Sequence, residues 1–246
     1  MNHFCGHKIL TGAVSAAALL LGSASAHADS QDTDWLGIAY LWGSGISIDA
    51  KNASADVSFS DLIDDLEMSF MGHVETQGDD LGGFVDVVFV GVGKNESRTN
   101  ADLNVDNDTT AMDLAAVWSP GAERMTGIEL YGGLRYVSND FSLVIKPVEP
   151  SPPESRIGSD STYYDLLLGA RYIAPLSEHW RLTFSGDISG GDTEGTFSIG
   201  AYAGYRMGQH HFIGGYKHFE MDLESGNGVD LTVTMSGPVI AYGYSF

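Results

Sequence analysis

Twelve titratable side chains recur at alternate positions within otherwise apolar stretches, and they carry most of the chemistry this sequence offers. The acids are Glu75, Asp86, Asp113, Glu129, Asp165 and Asp187, the bases Arg135, Arg171, Arg181, Arg206 and Lys217, and His73 joins them. Six carboxylates against five permanent cations is close to balance. A channel selecting ions of one sign would carry an excess of that sign, whereas ion pairs hidden from water survive only with good partners. The near balance therefore favours charges that pair with one another and fill the space they share.

A hydrolytic site needs a base within hydrogen-bond reach of a nucleophile or water. Ser69 and His73 stand four residues apart on one face with Glu75 two further on, a spacing that allows a Glu/His/Ser grouping. No flanking motif supports it, and a structural histidine held by carboxylates is the expectation. His179 and His210-His211 fall in turns and are expected to meet water, and His218 has no evident partner. The run Asp102-Leu103-Asn104-Val105-Asp106-Asn107-Asp108 begins like a calcium loop. It lacks the glycine at the sixth position and has Asp113 rather than Glu at the twelfth, so a solvated acidic loop is expected. Nothing in the sequence asks for a metal or cofactor, and no enzymatic activity is expected.

The charges need a scaffold that presents alternate residues to opposite sides, which is a β-strand. Large apolar residues occupy 36, 38, 40 and 42 in Trp35-Leu36-Gly37-Ile38-Ala39-Tyr40-Leu41-Trp42. Met68, Phe70 and Val74 alternate with Ser69, His73 and Glu75, and Val85, Val87 and Phe89 with Asp86 and Val88. Further strands are expected at 109–119, 126–146, 159–176, 179–189, 195–207, 210–223 and 229–246, making about ten. Tight links such as Gln77-Gly78-Asp79-Asp80, Ser177-Glu178-His179 and Gly208-Gln209-His210 alternate with longer polar ones at 49–67, 94–108, 147–158, 189–195 and 224–229. In the first long link, Ser60 caps a short helix over Asp61, Leu62, Ile63, Asp64, Asp65 and Leu66, with Leu62, Ile63 and Leu66 on one face. It reads either as a lid over a barrel mouth or as a cap packed on the rim.

Lys8 followed by the apolar run 9–21 and Ala24-Ser25-Ala26 or Ala26-His27-Ala28 reads as a cleavable secretory signal over residues 1–28. That leaves 29–246 as one domain. The single cysteine, Cys5, lies within that signal, so the mature chain can form no disulfide. A net charge of −21 excludes the basic stripe that nucleic acid requires. No second apolar run approaches the ~18 residues of a transmembrane helix, while 31 glycines, 11 Phe and 11 Tyr suit short strands and turns.

A soluble sandwich also alternates, but its polar face meets water and does not enclose charges that must pair. Short links on one side with long links on the other is the asymmetry of outer-membrane barrels. Trp35, Trp118 and Trp180 all fall at the strand ends joined by short links, where an interfacial aromatic rim is expected, together with Tyr242, Tyr244 and Phe246. Trp42 falls toward the opposite rim. The expected fold is an all-β, transmembrane, antiparallel up-and-down β-barrel of about ten strands in the cell outer membrane.

The closing run Val239-Ile240-Ala241-Tyr242-Gly243-Tyr244-Ser245-Phe246 resembles the sorting signal read by the barrel-assembly machinery, with Ala241 where glycine is common. More broadly, the chain resembles the small, mostly uncharacterised outer-membrane β-barrel proteins of Gram-negative bacteria. The resemblance rests on Tyr40-Leu41-Trp42, Val57 to Leu66 followed by Phe70-Met71-Gly72-His73, Gly169-Ala170-Arg171-Tyr172, Trp180 with Gly186-Asp187, Gly204-Tyr205-Arg206, Gly215-Tyr216-Lys217 and Gly237-Pro238. Lys217 stands where Arg is expected, and the Ser189-Gly190-Gly191-Asp192 turn lacks an expected aromatic. The resemblance implies a location and an architecture, with outer-membrane lipids and lipopolysaccharide as surroundings, and transfers no activity. Three roles follow: a structural barrel or one passing small solutes, with a charge-paired interior; a narrow porin gated by the 60–66 helix; or an outer-membrane lipid hydrolase.

Overall fold

A computed structural model describes residues 34–50, 53–57, 66–98, 101–121, 125–147, 155–225 and 229–246. The signal segment 1–28 and the helix expected over 61–66 lie outside these residues, save for Leu66. Among the described residues twelve strands follow one another: β1 (Asp34–Trp42), β2 (Gly45–Ala50), β3 (Ala53–Val57), β4 (Leu66–Gln77), β5 (Leu81–Arg98), β6 (Ala101–Trp118), β7 (Gly127–Pro147), β8 (Ser155–Pro175), β9 (Trp180–Gly191), β10 (Gly195–Met207), β11 (His210–Ser225) and β12 (Val229–Ser245). Each of β4 to β12 pairs antiparallel with its neighbour in sequence, and β1 pairs with both β4 and β12. Ten strands thus close a barrel, which leaves no unpaired edge inside a bilayer.

The register fixes its geometry. Following partners from Leu36 through Glu75, Phe84, Ala115, Gly133, Leu167, Ser189, Thr196, Met221 and Val233 arrives at Ile48, twelve residues further along the starting strand line. That stagger sets a strongly tilted, narrow barrel. Every residue on this path shares one face of the sheet, so the whole inward set follows by counting in twos.

Closure depends on β12. Trp42 pairs with Val239 and Gly45 with Ser236, so β1 and β2 run along β12 in one register, interrupted only at Gly43-Ser44. Pro238 faces that interruption; Gly43 N donates to its carbonyl at 2.8 Å, and Pro238 has no N–H to return. Beside it, a Cβ on Gly237 would lie 2.0 Å from the Gly43 carbonyl oxygen, so only glycine lets the chains meet. Gly237→Ala is expected to destabilise the folded barrel by about 1–3 kcal/mol through this overlap. Urea unfolding in detergent checks it, and an unshifted midpoint would show that the seam tolerates the methyl group. At the foot of the same seam, Trp35 and Phe246 exchange backbone hydrogen bonds of 3.2 and 3.0 Å, and their rings stack.

The strands run further outward than the apolar alternation indicates. Segments 49–50 and 53–57, read as loop, are strand, and β2–β3 extends the sheet beyond β12. The 94–108 link is mostly strand, since β5 reaches Arg98 and β6 starts at Ala101. β7 and β8 each hold 21 residues, about twice the ~9–11 that cross a membrane. Their outer parts therefore project beyond the bilayer while backbone pairing continues. At the other end the connections are short, and Gly208, at φ +63°, makes the tight β10–β11 turn possible.

Exposed large apolar side chains cover the outside of the wall, among them Leu41, Phe70, Leu114, Leu134, Leu166, Leu168, Phe184, Ile199, Phe212 and Ile240. A soluble protein does not leave so continuous an apolar surface to water.

Candidate functional site: the lumen

All twelve titratable residues sit on the inward face of the barrel, as the register places Glu75, Asp86, Asp113, Arg135, Asp165 and Arg171 on the same side as buried Leu36 and Leu167. Their partners are specific. Arg171 of β8 holds both oxygens of Glu75 on β4, with Nη1 at 2.8 Å from Oε2, and its Nε donates to Glu129 on β7. Glu75 and Glu129 are 2 % and 0 % exposed, so the guanidinium is what permits two carboxylates in the dry interior. Ser119 donates to the other oxygen of Glu129 at 3.1 Å and accepts from Gln77 at 2.6 Å.

His73 lies between two acids, with Nε2 3.2 Å from Glu75 and Nδ1 3.2 Å from Asp86. Tyr40 donates to the second Asp86 oxygen at 2.7 Å. With both ring nitrogens occupied by carboxylates, His73 has no position free to take a proton from a nucleophile. The Ser69 side chain, the third member of the Glu/His/Ser grouping, lies outside the described residues.

A second cluster surrounds Arg135, which is 5 % exposed. Its Nε and Nη2 bind the two oxygens of Asp113 at 2.8 Å each, Nη2 also reaches Asp187 at 2.9 Å, and Nη1 reaches Thr196 at 2.7 Å. Its guanidinium stacks over Phe219. Tyr131 donates to Asp187 at 3.3 Å. Asp165, the in-register neighbour of Arg135, pairs instead with hydroxyls: Ser189 at 2.9 Å and Thr193 at 2.5 Å, with the Thr193 N–H adding a third donor.

The remaining cations lack such partners. No described carboxylate lies within ion-pair distance of Arg181, Arg206 or Lys217. Arg206 is exposed at the short-turn end. Lys217 lies over the Trp42 ring, 5.1 Å from its centroid. Arg181 and Lys217 line a cavity of about 230 Å³, so ion pairs fill only part of the bore.

Several expectations are corrected. Trp42 is 7 % exposed and faces inward with Met71 and Val239 in an apolar layer, not outward at the rim. The large residues of β1 are its inward set, leaving Gly37, Ala39 and Leu41 toward lipid. His211 does not meet water; it is 5 % exposed, with Nε2 2.6 Å from Ser245 Oγ and Nδ1 3.4 Å from Arg181. His218 has a partner, Ser236 Oγ at 2.6 Å. The calcium-like run 102–108 belongs to strand β6, where pairing with β7 holds it extended and it cannot wrap an ion. Among the described residues, no cluster of three or more His, Asp or Glu is placed to hold a metal.

Trp118, Trp180, Tyr242, Tyr244 and Phe246 are exposed at the short-turn end, and Trp35 stacks on Phe246 beside them. Sequence reading missed Tyr40, Gln77, Ser119, Tyr131, Ser189, Thr193 and Thr196. All but Ser119 and Thr193, which lie just beyond strand ends, and Tyr40, whose strand β1 carries none of the twelve charges, share the inward parity of a lumenal charged residue on their own strand, the signal that would have found them.

An apolar belt, a closed ring of ten antiparallel strands, short turns at one end and a charged interior define an integral outer-membrane β-barrel, which places the protein in the outer membrane. One solved structure supports the fold. OmpT, an outer-membrane protease of Escherichia coli, is similar over 91% of this chain and 100% of its own, at 10% identity and a TM-score of 0.54. Ail, the attachment invasion locus protein of Yersinia pestis, matches over 88% of this chain and 100% of its own, at 10% identity and a TM-score of 0.41. The translocator domain of the autotransporter NalP from Neisseria meningitidis matches over 96% and 98%, at 12% identity and a TM-score of 0.39. No family's sequence pattern matches the chain, and neither does any curated protein.

Proposed function

We propose that this protein is a non-enzymatic barrel whose bore is closed by its own side chains, so that its role in the outer membrane is structural. The observation that carries this reading is the pair of arginine clusters crossing the lumen: Arg171 joins β8 to β4 and β7, and Arg135 joins β7 to β6 and β9. The Trp42, Met71 and Val239 layer adds an apolar stopper. In a ten-strand barrel, little wider than the eight-strand size that side chains fill, such groups leave no continuous water column. Engagement of both His73 nitrogens speaks against a hydrolase built on that histidine.

Lipids and lipopolysaccharide bathe the apolar belt, residues 1–28 direct export, and the aromatic end of β12 is offered to the barrel-assembly machinery during folding. Planar-bilayer recording on the purified mature chain tests the closed bore. Flat current traces are expected, and reproducible single-channel steps would replace this reading with the porin.

A further inference from the structure

Near the short-turn end, the lumenal cavity has two unlike walls. β1, β11 and β12 line one side with Leu36, Ile38, Ile213 and Ala241, and β9 contributes Arg181 to the other, while Glu75, Asp86, Asp113 and Asp187, which also line the cavity, are held by Arg171, His73 and Arg135. An arginine carries five donors that need acceptors when taken out of water. The only hydrogen bond described for Arg181 is to His211 Nδ1 at a long 3.4 Å, and its nearest glutamates, Glu75 and Glu129, are already bound by Arg171. Its side chain lies directly on Gly204, where an added Cβ would stand 3.3 Å from it, and it lines the cavity from there. Met125 lines the same cavity from the β6–β7 turn and holds φ +51°, the one non-glycine residue described with positive φ. Backbone conformations of this kind cost energy and collect at ligand sites.

We propose that this cavity binds a small amphipathic carboxylate entering from the periplasmic end, its anionic head on Arg181 and its apolar body against Leu36, Ile38, Ile213 and Ala241. Arg181 is the anchor in preference to Lys217, whose ammonium is already engaged with the Trp42 ring. At about 230 Å³ the cavity is below the ~300–1,000 Å³ of drug-sized sites, which limits the occupant to one ring or a short chain. The site does not depend on the bore being closed: channel steps would overturn the closed barrel and leave this site standing.

Calorimetric titration of the detergent-folded mature chain with benzoate tests it, with benzyl alcohol as the uncharged counterpart. Saturable binding of benzoate alone is expected. Arg181→Gln should weaken it at least about tenfold, the worth of one charge-assisted contact. Ala241→Phe, which fills the apolar wall and spares the cation, should abolish it, and simple partition into micelles would persist in that variant. Absence of saturable binding, equal binding of benzyl alcohol, or benzoate binding unchanged in either folded variant would each overturn the proposal.

Discussion

Replacing Arg171 with alanine is expected to lower the unfolding free energy of the folded barrel by about 3–5 kcal/mol, because it strands two buried carboxylates without their shared cation. Glu75 would keep only His73 and Glu129 only Ser119, both at positions almost fully buried. The loss measures abandoned charge and not the net worth of the pairs. The triple variant Arg171→Met, Glu75→Gln, Glu129→Gln should therefore recover part of what Arg171→Ala alone loses. Replacing Asp106 and Asp108, which are exposed on the outer part of β6, with asparagine should change stability by no more than about 0.5 kcal/mol. Urea midpoints in detergent compare the set. If Arg171→Ala and the Asp106/Asp108 variant unfold at the same midpoint, the Arg171 cluster does not hold the barrel.

Within the bilayer the sequence is legible because the solvent on each face differs. Lipid outside and paired charge inside impose a period of two, and a register slip of one residue would put Arg171 in hydrocarbon and Leu168 in the bore. Counting in twos therefore places Glu75, Asp113, Arg135 and Asp187 on one face from the sequence alone. The argument fails where the two faces face the same medium. In Lys94-Asn95-Glu96-Ser97-Arg98 no apolar alternation survives, and in Asp102 to Asp108 it is carried by Leu103 and Val105 alone, yet both are strand, held by neighbours that the local sequence does not reveal.

Facing direction alone also left the partners undetermined. Arg135 has Asp113 beside it in register on β6 and Asp165 beside it on β8, and parity does not choose between them. The choice follows from the hydroxyls of Ser189 and Thr193, which satisfy Asp165 and leave Arg135 free to turn toward Asp113 and Asp187. Trp42 misled for a related reason. Interfacial enrichment of tryptophan is a rule about the lipid face, and on β1 the large side chains are those that fill the bore.

That inward tryptophan leads to the second large effect. Trp42→Ala should cost about 3–5 kcal/mol, the range for emptying a buried aromatic site, and should give channel steps in planar bilayers where the unaltered barrel gives none. Its neighbours Met71, Val239 and Phe219 come from three different strands and cannot collapse into the void without moving the closed ring. The indole Nε1 has no hydrogen-bond partner among the described residues, so its polar group contributes nothing that phenylalanine would lose. Trp42→Phe is accordingly expected to keep most of the stability and the flat current trace, because bulk at this level and not the N–H blocks the bore. Conductance from Trp42→Phe equal to that from Trp42→Ala would locate the seal elsewhere, and silence from both would leave the two arginine clusters as the sole barrier.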